Sequence, residues 1–424
     1  MLDRRVGVAL RSAAARFGTP VFVTDEATLD DAAAAVRAAF PDPWIRQFSV
    51  KANDVPGIVG LVAERGFGAN VVSAGEWAAA RSAGVPNARV SLEGVGKSDR
   101  DLRLAVRAAA AGDPPLWVAV ESPEEADRLA GLARLARDEP APIDVLFRLN
   151  PDVAAETHRG LAVGAGGSKF GMTGDELTHA VEATLAGRQS PRLRPRGIHL
   201  HVGSQLGAVD AWRDGARRAL ALQALVRGAV PDFDTLDLGG GFPVRPTGEP
   251  APDPARFARE LPPLLEAVPA DRRPTRLAIE PGRFLIARAG WLVAQVLHAR
   301  ERGGPLVVVD AGMTELIRPA LYGAIHPVIA LTSLGRPVAD NEPTAVTRVE
   351  GPVCESTDYL GEHDLPALRR GDLVAVADAG AYAASLSSTY NGRPRAPQVL
   401  RSPDGTLRLL RRRGSVARLG EAVR

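Results

Sequence analysis

Lysine is scarce in this chain, and one of the few stands where chemistry would need it. Lysine and arginine together number 52 in 424 residues, yet only Lys51, Lys97 and Lys169 are lysines. Lys51 lies in the run Phe48-Ser49-Val50-Lys51-Ala52-Asn53. A guanidinium stays charged, whereas a desolvated amine can lose its proton and form a Schiff base with a carbonyl. Residues 46–50 read as a short buried strand, which puts Lys51 at its C-terminal end, where α/β barrels collect catalytic groups. A lone lysine is more often a loop residue, so the assignment depends on what the later strand ends carry.

The stretch Gly197-Ile198-His199-Leu200-His201-Val202-Gly203-Ser204-Gln205 ends another β-prone run. Strand alternation puts His199 and His201 on one side, facing the interior of a barrel or its mouth. Such a pair can ligate a metal, or one imidazole can stack on a planar cofactor while Gly203 and Ser204 face a phosphate. A metal calls for further ligands, and His158, His179, His298, His326 and His363 are poorly placed to supply them, so no metal is expected. Next comes Asp237-Leu238-Gly239-Gly240-Gly241-Phe242-Pro243, whose glycines let backbone N–H groups approach an anion. Glu280-Pro281-Gly282-Arg283 closes the series. Arginine suits a phosphate or carboxylate, and a buried glutamate can hold a proton on a pyridine nitrogen. Three segments further on are too specialised for a plain β domain: Asp310 to Met313 leading to Arg318 and Tyr322, Gly351-Pro352-Val353-Cys354-Glu355-Ser356-Thr357-Asp358, and Asp378 to Tyr382 leading to Tyr390. A cysteine is ordinarily a small buried hydrophobe, but one after a Gly-Pro turn and beside a glutamate reads as part of an exposed functional loop.

These residues need elements to hold them. Eight apolar, β-rich runs occur at 46–50, 69–72, 88–92, 116–120, 144–149, 196–201, 234–238 and 276–280, separated by stretches with helical spacing. Strand alternating with helix predicts a parallel sheet, and eight strands predict an α/β fold with a closed (β/α)8 TIM-type barrel. Beyond residue 285 the runs Trp291–His298, Leu306–Val309, Thr344–Val349 and Leu373–Val376 are joined by Pro/Gly-rich connections. They predict a second, antiparallel β-sandwich or barrel domain, which the early run Val21–Thr24 could join. The expected boundaries are 31–284 for the barrel and 1–30 plus 285–424 for the β domain.

Composition narrows the partners. A formal net charge of +2 without a basic block argues against nucleic acid or a membrane surface. No apolar run approaches the ~20 residues that span a bilayer. The start Asp3-Arg4-Arg5 is not followed by the apolar core of a signal peptide, and a single cysteine, Cys354, cannot form an intrachain disulfide. A cytoplasmic protein is expected.

Taken together, the ordered motifs at 48–53, 201–205, 238–243, 280–283, 351–358 and 378–382 resemble the fold-type III pyridoxal-phosphate-dependent decarboxylases, which share the alanine racemase fold, and within them the diaminopimelate decarboxylases. The likeness spans nearly the whole chain. It implies that Lys51 carries pyridoxal 5'-phosphate and that His201 stacks on the ring. Ser204, Gly240, Gly241, Gly282 and Arg283 would hold the phosphate, Glu280 would pair with the ring nitrogen, and Tyr390 would lie near the cofactor. Alanine racemases put an arginine where this chain has Glu280. For the substrate, the resemblance implies Arg283, Arg318 and Tyr322 on a distal carboxylate, Glu355 on a distal ammonium, and Cys354 as proton donor. Ornithine decarboxylases carry aspartate after the cysteine. The implied reaction converts meso-2,6-diaminopimelate to L-lysine and CO2. The implied active unit is a homodimer with shared sites, in which Cys354 and Glu355 come from the partner chain and Lys169 pairs with Asp358 across the interface. One departure is Asn70, where the family usually has aspartate; the change is expected to alter the tuning of Lys51. It leaves open a variant or carrier-bound amino acid as substrate in secondary metabolism.

Overall fold

Short runs of β-branched and apolar residues, each followed by an Ala/Leu-rich helix, are what a parallel sheet with helical crossovers requires. The computed structural model describes residues 3–136, 141–154, 164, 167–185, 192–245 and 251–419; His158 lies outside them. The chain divides into two compact units, Ala33–Pro243 with Pro250–Gly282, and Met1–Ala32 with Val244–Glu249 and Arg283–Arg424. Its first elements, helix Arg4–Phe17 and strand β1 (Val21–Asp25), belong to the second of these.

The first unit is a closed barrel. Its strands are β2 (Ile45–Ser49), β3 (Gly68–Val71), β4 (Val90–Leu92), β5 (Trp117–Val120), β6 (Ile143–Leu149), β7 (Leu193–Leu200), β8 (Thr235–Asp237) and β9 (Arg276–Ile279). Each pairs in parallel with the next, and β2 pairs with β9 to close the ring. All eight match the runs read from the sequence. Helix starts follow side-chain chemistry. Ser122 and Asp253 accept from the backbone N–H groups of Glu125 and Arg256, and Ser98 forms a capping box with Asp101. The last crossover is interrupted: Pro262 and Pro263, which lack a backbone N–H, stand in the first turn of helix Leu261–Glu266 and keep it from continuing helix Pro254–Ala258.

The second unit adds β10 (Gly290–Glu301), β11 (Pro305–Val309), β12 (Val328–Ala330), the hairpin β13 (Thr332–Ser333) and β14 (Arg336–Pro337), β15 (Thr344–Glu350), β16 (Tyr359–Pro366), β17 (Leu373–Val376), β18 (Gln398–Arg401) and β19 (Leu407–Arg411). Its main sheet runs β16-β15-β11-β10-β1-β18-β19, with β17 pairing both β10 and β12. Most pairs are antiparallel, but β1–β18 and β11–β15 are parallel, so the sheet is mixed rather than antiparallel throughout. No tight hairpin joins either parallel pair, and long connections leave direction free. Alternation puts Phe22 with Leu292, Val309 and Val376 in one apolar cluster, and Val21 and Val23 with Leu10, Ala13 and Val399 in another. At the β1–β18 register Arg401 donates to the carboxylate of Asp25, a buried ion pair that also accepts from Thr28. No helix among the described residues is long and apolar enough to cross a membrane.

One glycine controls how β7 delivers its histidines. A Cβ at Gly197 would lie 1.7 Å from the carbonyl oxygen of Thr235 on β8. Gly197→Ala is therefore expected to part the two strands, destabilising the barrel by at least ~1–3 kcal/mol. Thermal unfolding of the variant measures it; an unchanged midpoint would show that the strands give way freely.

Candidate active site

At the C-terminal ends of the barrel strands, backbone geometry decides which side chains meet. β2 runs into a single 3-10 turn, Val50–Ala52, which presents Lys51 as an exposed residue. His201 follows directly on β7, and its Nδ1 accepts from the backbone N–H of Gly240 at 3.2 Å. Burial, and then the charge of Lys51, drives the His201 imidazole well below its usual pKa. A neutral ring with Nδ1 committed as acceptor can stack on a planar partner without adding charge.

The glycine run is built for close approach. Gly239 and Gly241 have φ of 65° and 105°, in the left-handed region. A Cβ at Gly239 would meet the Leu200 carbonyl oxygen at 2.3 Å, one at Gly240 the Glu280 carbonyl oxygen at 2.4 Å, and one at Gly241 the Gly203 carbonyl oxygen at 2.6 Å. This glycine cradle and the neutral His201 fit a flat, phosphorylated cofactor. Ser204 lies half-buried in the loop after β7, and Gly282 packs against Ser49, where a Cβ would come within 3.0 Å of the serine Cβ.

Glu280, one residue past β9, is clamped from three strands. Its backbone N–H donates to Gly239 at 2.9 Å, its carbonyl accepts from Ser49 Oγ at 3.1 Å, and its carboxylate accepts from the amide of Asn70 on β3. His199 lies on β7 inside the barrel, 3.6 Å from Glu280 and 3.4 Å from Glu93. The two histidines of the sequence motif thus serve different neighbours.

The second unit carries its own two clusters. Arg318 opens a one-turn helix, Arg318–Tyr322, started by Pro319 and ended by Gly323 at φ 61°. Its guanidinium lies 5.6 Å from the Tyr322 ring centroid, and that of Arg283 lies 4.6 Å from the Tyr382 centroid. Both arginines are buried. Burial, and then the charge of Arg283, lowers the Arg318 guanidinium to about 10. Two desolvated cations in one neighbourhood favour an anionic ligand. His326 holds Arg318 in place: its Nε2 accepts from Arg318 Nε at 3.3 Å, and its Nδ1 donates to the Ala377 carbonyl at 3.1 Å. The other cluster is the exposed loop of Cys354. Asn391 Nδ2 donates to Cys354 Sγ at 3.6 Å, and the Tyr390 hydroxyl donates to Glu355 at 2.5 Å. Asp358 organises this loop, accepting from the N–H groups of Met313 and Val353 at 2.5 and 2.6 Å while itself buried. Lys169 is exposed in the barrel unit, its amine 5.4 Å from the Phe170 ring centroid.

Residues 26–287 match the model of the pyridoxal-dependent decarboxylase family, pyridoxal binding domain. The chain belongs to the pyridoxal-dependent decarboxylases. It is 36% identical to a diaminopimelate decarboxylase of Aquifex aeolicus, covering 96% of this chain and 92% of that one. A diaminopimelate decarboxylase of Actinosynnema pretiosum is 40% identical, over 96% of this chain and 89% of the relative. Among solved structures, diaminopimelate decarboxylase from Helicobacter pylori complexed with L-lysine superposes with a TM-score of 0.85 at 29% identity, covering 96% of this chain and 98% of that one.

Within this decarboxylase, Lys51, His201, Gly240, Gly241, Glu280 and Gly282 collect at one end of the barrel, while Arg283, Arg318 and Tyr322, and separately Cys354, Glu355 and Tyr390, collect in the second unit. His326, Asn391 and Glu93 were not legible as site residues. His326 follows Arg318 by eight residues with no motif between them, and Asn391 gives only a faint signal in its residue type, asparagine being among the few that accept the φ of 55° it adopts.

His326 gives this decarboxylase an acid sensitivity of known sign. Burial holds its imidazole down to about 4. An unfolded histidine protonates below about 6.5, so between these values the unfolded chain binds the extra proton and stability is lost as the pH drops. The loss from this residue should reach roughly 3 kcal/mol and level off near the folded value. Unfolding midpoints of His326→Gln, measured down that range, should fall less steeply than those of the parent; parallel curves would remove His326 as the cause.

Proposed function

We propose that this chain removes CO2 from meso-2,6-diaminopimelate to give L-lysine, using pyridoxal 5'-phosphate, as a homodimer of the cytoplasm. In this reading residues 31–284 hold the cofactor, and residues 1–30 with 285–424 carry the substrate and dimer-interface residues. The supporting observation is the buried pair Arg283 and Arg318, beside Tyr322 and braced by His326. Cations so placed suit the carboxylate at the far end of diaminopimelate, a group that ornithine and lysine lack.

When bound, pyridoxal phosphate supplies an electron sink for the carbon that loses its carboxylate. The residues of the chain do the rest. Lys51 anchors the cofactor through its amine, the turns at Ser204, Gly240–Gly241 and Gly282–Arg283 hold its phosphate, and Tyr390 stands near it. Neutral His201 stacks on the ring without competing for its proton. Glu280 is assigned to hold a proton at the ring nitrogen, which the Asn70 amide favours by donating to the carboxylate and keeping it an acceptor. Glu355 binds the distal ammonium of the substrate, and Cys354 Sγ delivers the proton that replaces CO2.

Purified protein loaded with cofactor should release CO2 from meso-diaminopimelate at least about tenfold faster, per unit of substrate concentration, than from ornithine or lysine, a difference of about 1.4 kcal/mol in transition-state binding. Activity confined to a carrier-bound or otherwise modified amino acid would replace the substrate reading; the amide at Asn70 is the feature that favours looking for one.

The proposed dimer supplies Cys354 and Glu355 to the site of the neighbouring chain and brings Lys169 against Asp358. Asp358 already accepts from two backbone N–H groups, so Lys169 would add to a satisfied carboxylate. Mixing Lys51→Ala with Cys354→Ala chains should restore up to one working site per mixed dimer. Continued inactivity, with subunit exchange demonstrated, would refute sharing.

A further inference from the structure

Beneath Glu280 the barrel holds more acid than its surroundings can keep ionised. Glu93 just after β4, Asp237 ending β8, Glu280 and His199 are each no more than 5% exposed. An oxygen of Glu93, an oxygen of Glu280 and a nitrogen of His199 lie within 4.8 Å of one another. Neighbouring carboxylates out of water cannot all carry charge, so a proton or a cation must sit among them.

The donors around the group decide between the two. Asn70 Nδ2 donates to Glu280, Trp117 Nε1 to Glu93 at 3.3 Å, and the Gly239 N–H to Asp237 at 2.9 Å. Each N–H holds one oxygen of its acid, and the second oxygens of Glu93 and Glu280 lie 3.4 and 3.6 Å from His199 Nε2, which brings the two carboxyl groups together around a ring that is held neutral. Such an environment suits carboxyl groups that share protons. His199, whose ring nitrogens complete no hydrogen bond among the described residues, is not the proton's resting place. Burial holds it down to about 4, against the pull of Glu93 and Glu121 and with the charges of Arg148 and Lys51 reinforcing the shift.

We propose that Glu93 is a positioning residue that holds a proton against Glu280, so that Glu280 is the member of the cluster that carries the negative charge. Its meaning for catalysis rests on the reading that places the cofactor's ring nitrogen at Glu280. The direction of each neighbour agrees. Burial and then the Glu280 charge push Glu93 up to about 7, and the same two causes push Asp237 well above the carboxylate range. Burial raises Asp237 and keeps His199 neutral, which leaves Glu93, directly beside Glu280, as the acid whose proton is in play near neutrality. Asn70 matters because an amide adds a donor to Glu280 without adding another acid.

Infrared spectroscopy of the whole 424-residue chain without cofactor tests this directly. With isotopically labelled glutamate carboxyl groups, the protein should show a label-shifted carboxylic-acid C=O band that disappears with a midpoint of about 7. Glu93→Gln should lack that band, while any unlabelled aspartic-acid band from Asp237 is left unshifted by the label. In the loaded protein, the absorbance of the bound cofactor should change with pH at a matching or lowered midpoint, and Glu93→Gln should abolish that change. A merely structural Glu93 would alter stability and leave the cofactor's pH profile in place. Survival of the glutamate band in Glu93→Gln would overturn the assignment. So would absence of the band from the parent, or a stoichiometric divalent ion whose removal creates it. If Glu93→Gln does not fold, Glu93→Asp decides: its labelled glutamate band should vanish, and a labelled band that stays, as one from buried Glu76, Glu125 or Glu315 would, overturns the assignment. Because this readout needs no substrate, a protein that shows the band but spares diaminopimelate refutes the substrate reading and leaves this one standing.

Discussion

A closed ring of eight strands leaves little water inside, and every charge that the chemistry needs there must be held by groups on neighbouring strands. Glu280 shows how strict this is. Its backbone is bonded to the Gly239 carbonyl and to Ser49 at the end of β2, and its carboxylate to Asn70 on β3. None of those partners is within thirty residues of it in the chain. Only the parallel register of β2, β3, β8 and β9 brings them together. The site is thus a property of barrel closure before it is a property of any motif.

The two units handle buried charge in opposite ways. In the barrel, acids crowd together and neutral donors surround them, so protons settle the balance. In the second unit, Arg283 and Arg318 are buried beside aromatic rings and a neutral imidazole. A guanidinium does not give up its proton readily, so the remaining charge there favours a ligand that brings a carboxylate. The Cys354 loop differs again, exposed at its tip but fastened beneath by Asp358.

Much of this was legible in the sequence for a physical reason. Most barrel strands carry an apolar stretch, Trp-Val-Ala-Val in β5 and Val-Leu-Phe in β6 among them, and the residues that follow the strands, Lys51, His201, Gly239–Gly241 and Glu280, sit in short distinctive segments. The mixed sheet was harder to read. β16 is Tyr-Leu-Gly-Glu-His-Asp-Leu-Pro, a polar and partly exposed edge with little apolar signal, and β1–β18 joins segments more than 370 residues apart. The acid cluster was out of reach for the same reason. Glu93 stands in an ordinary loop, and nothing local reveals that it faces a carboxylate from β9.

The place of β1 in the sheet also sets an order of assembly. This strand, complete at Asp25, pairs with β10, which begins at Gly290, and with β18, which begins at Gln398. All eight barrel strands are translated in between. At ~5–20 residues per second a ribosome takes roughly 13–53 s to travel from Asp25 to Gly290. Over that interval the nascent chain carries the buried face of Val21, Val23 and Leu10 without its sheet. That segment therefore waits for its partners while the barrel has the opportunity to fold before the β unit can be completed.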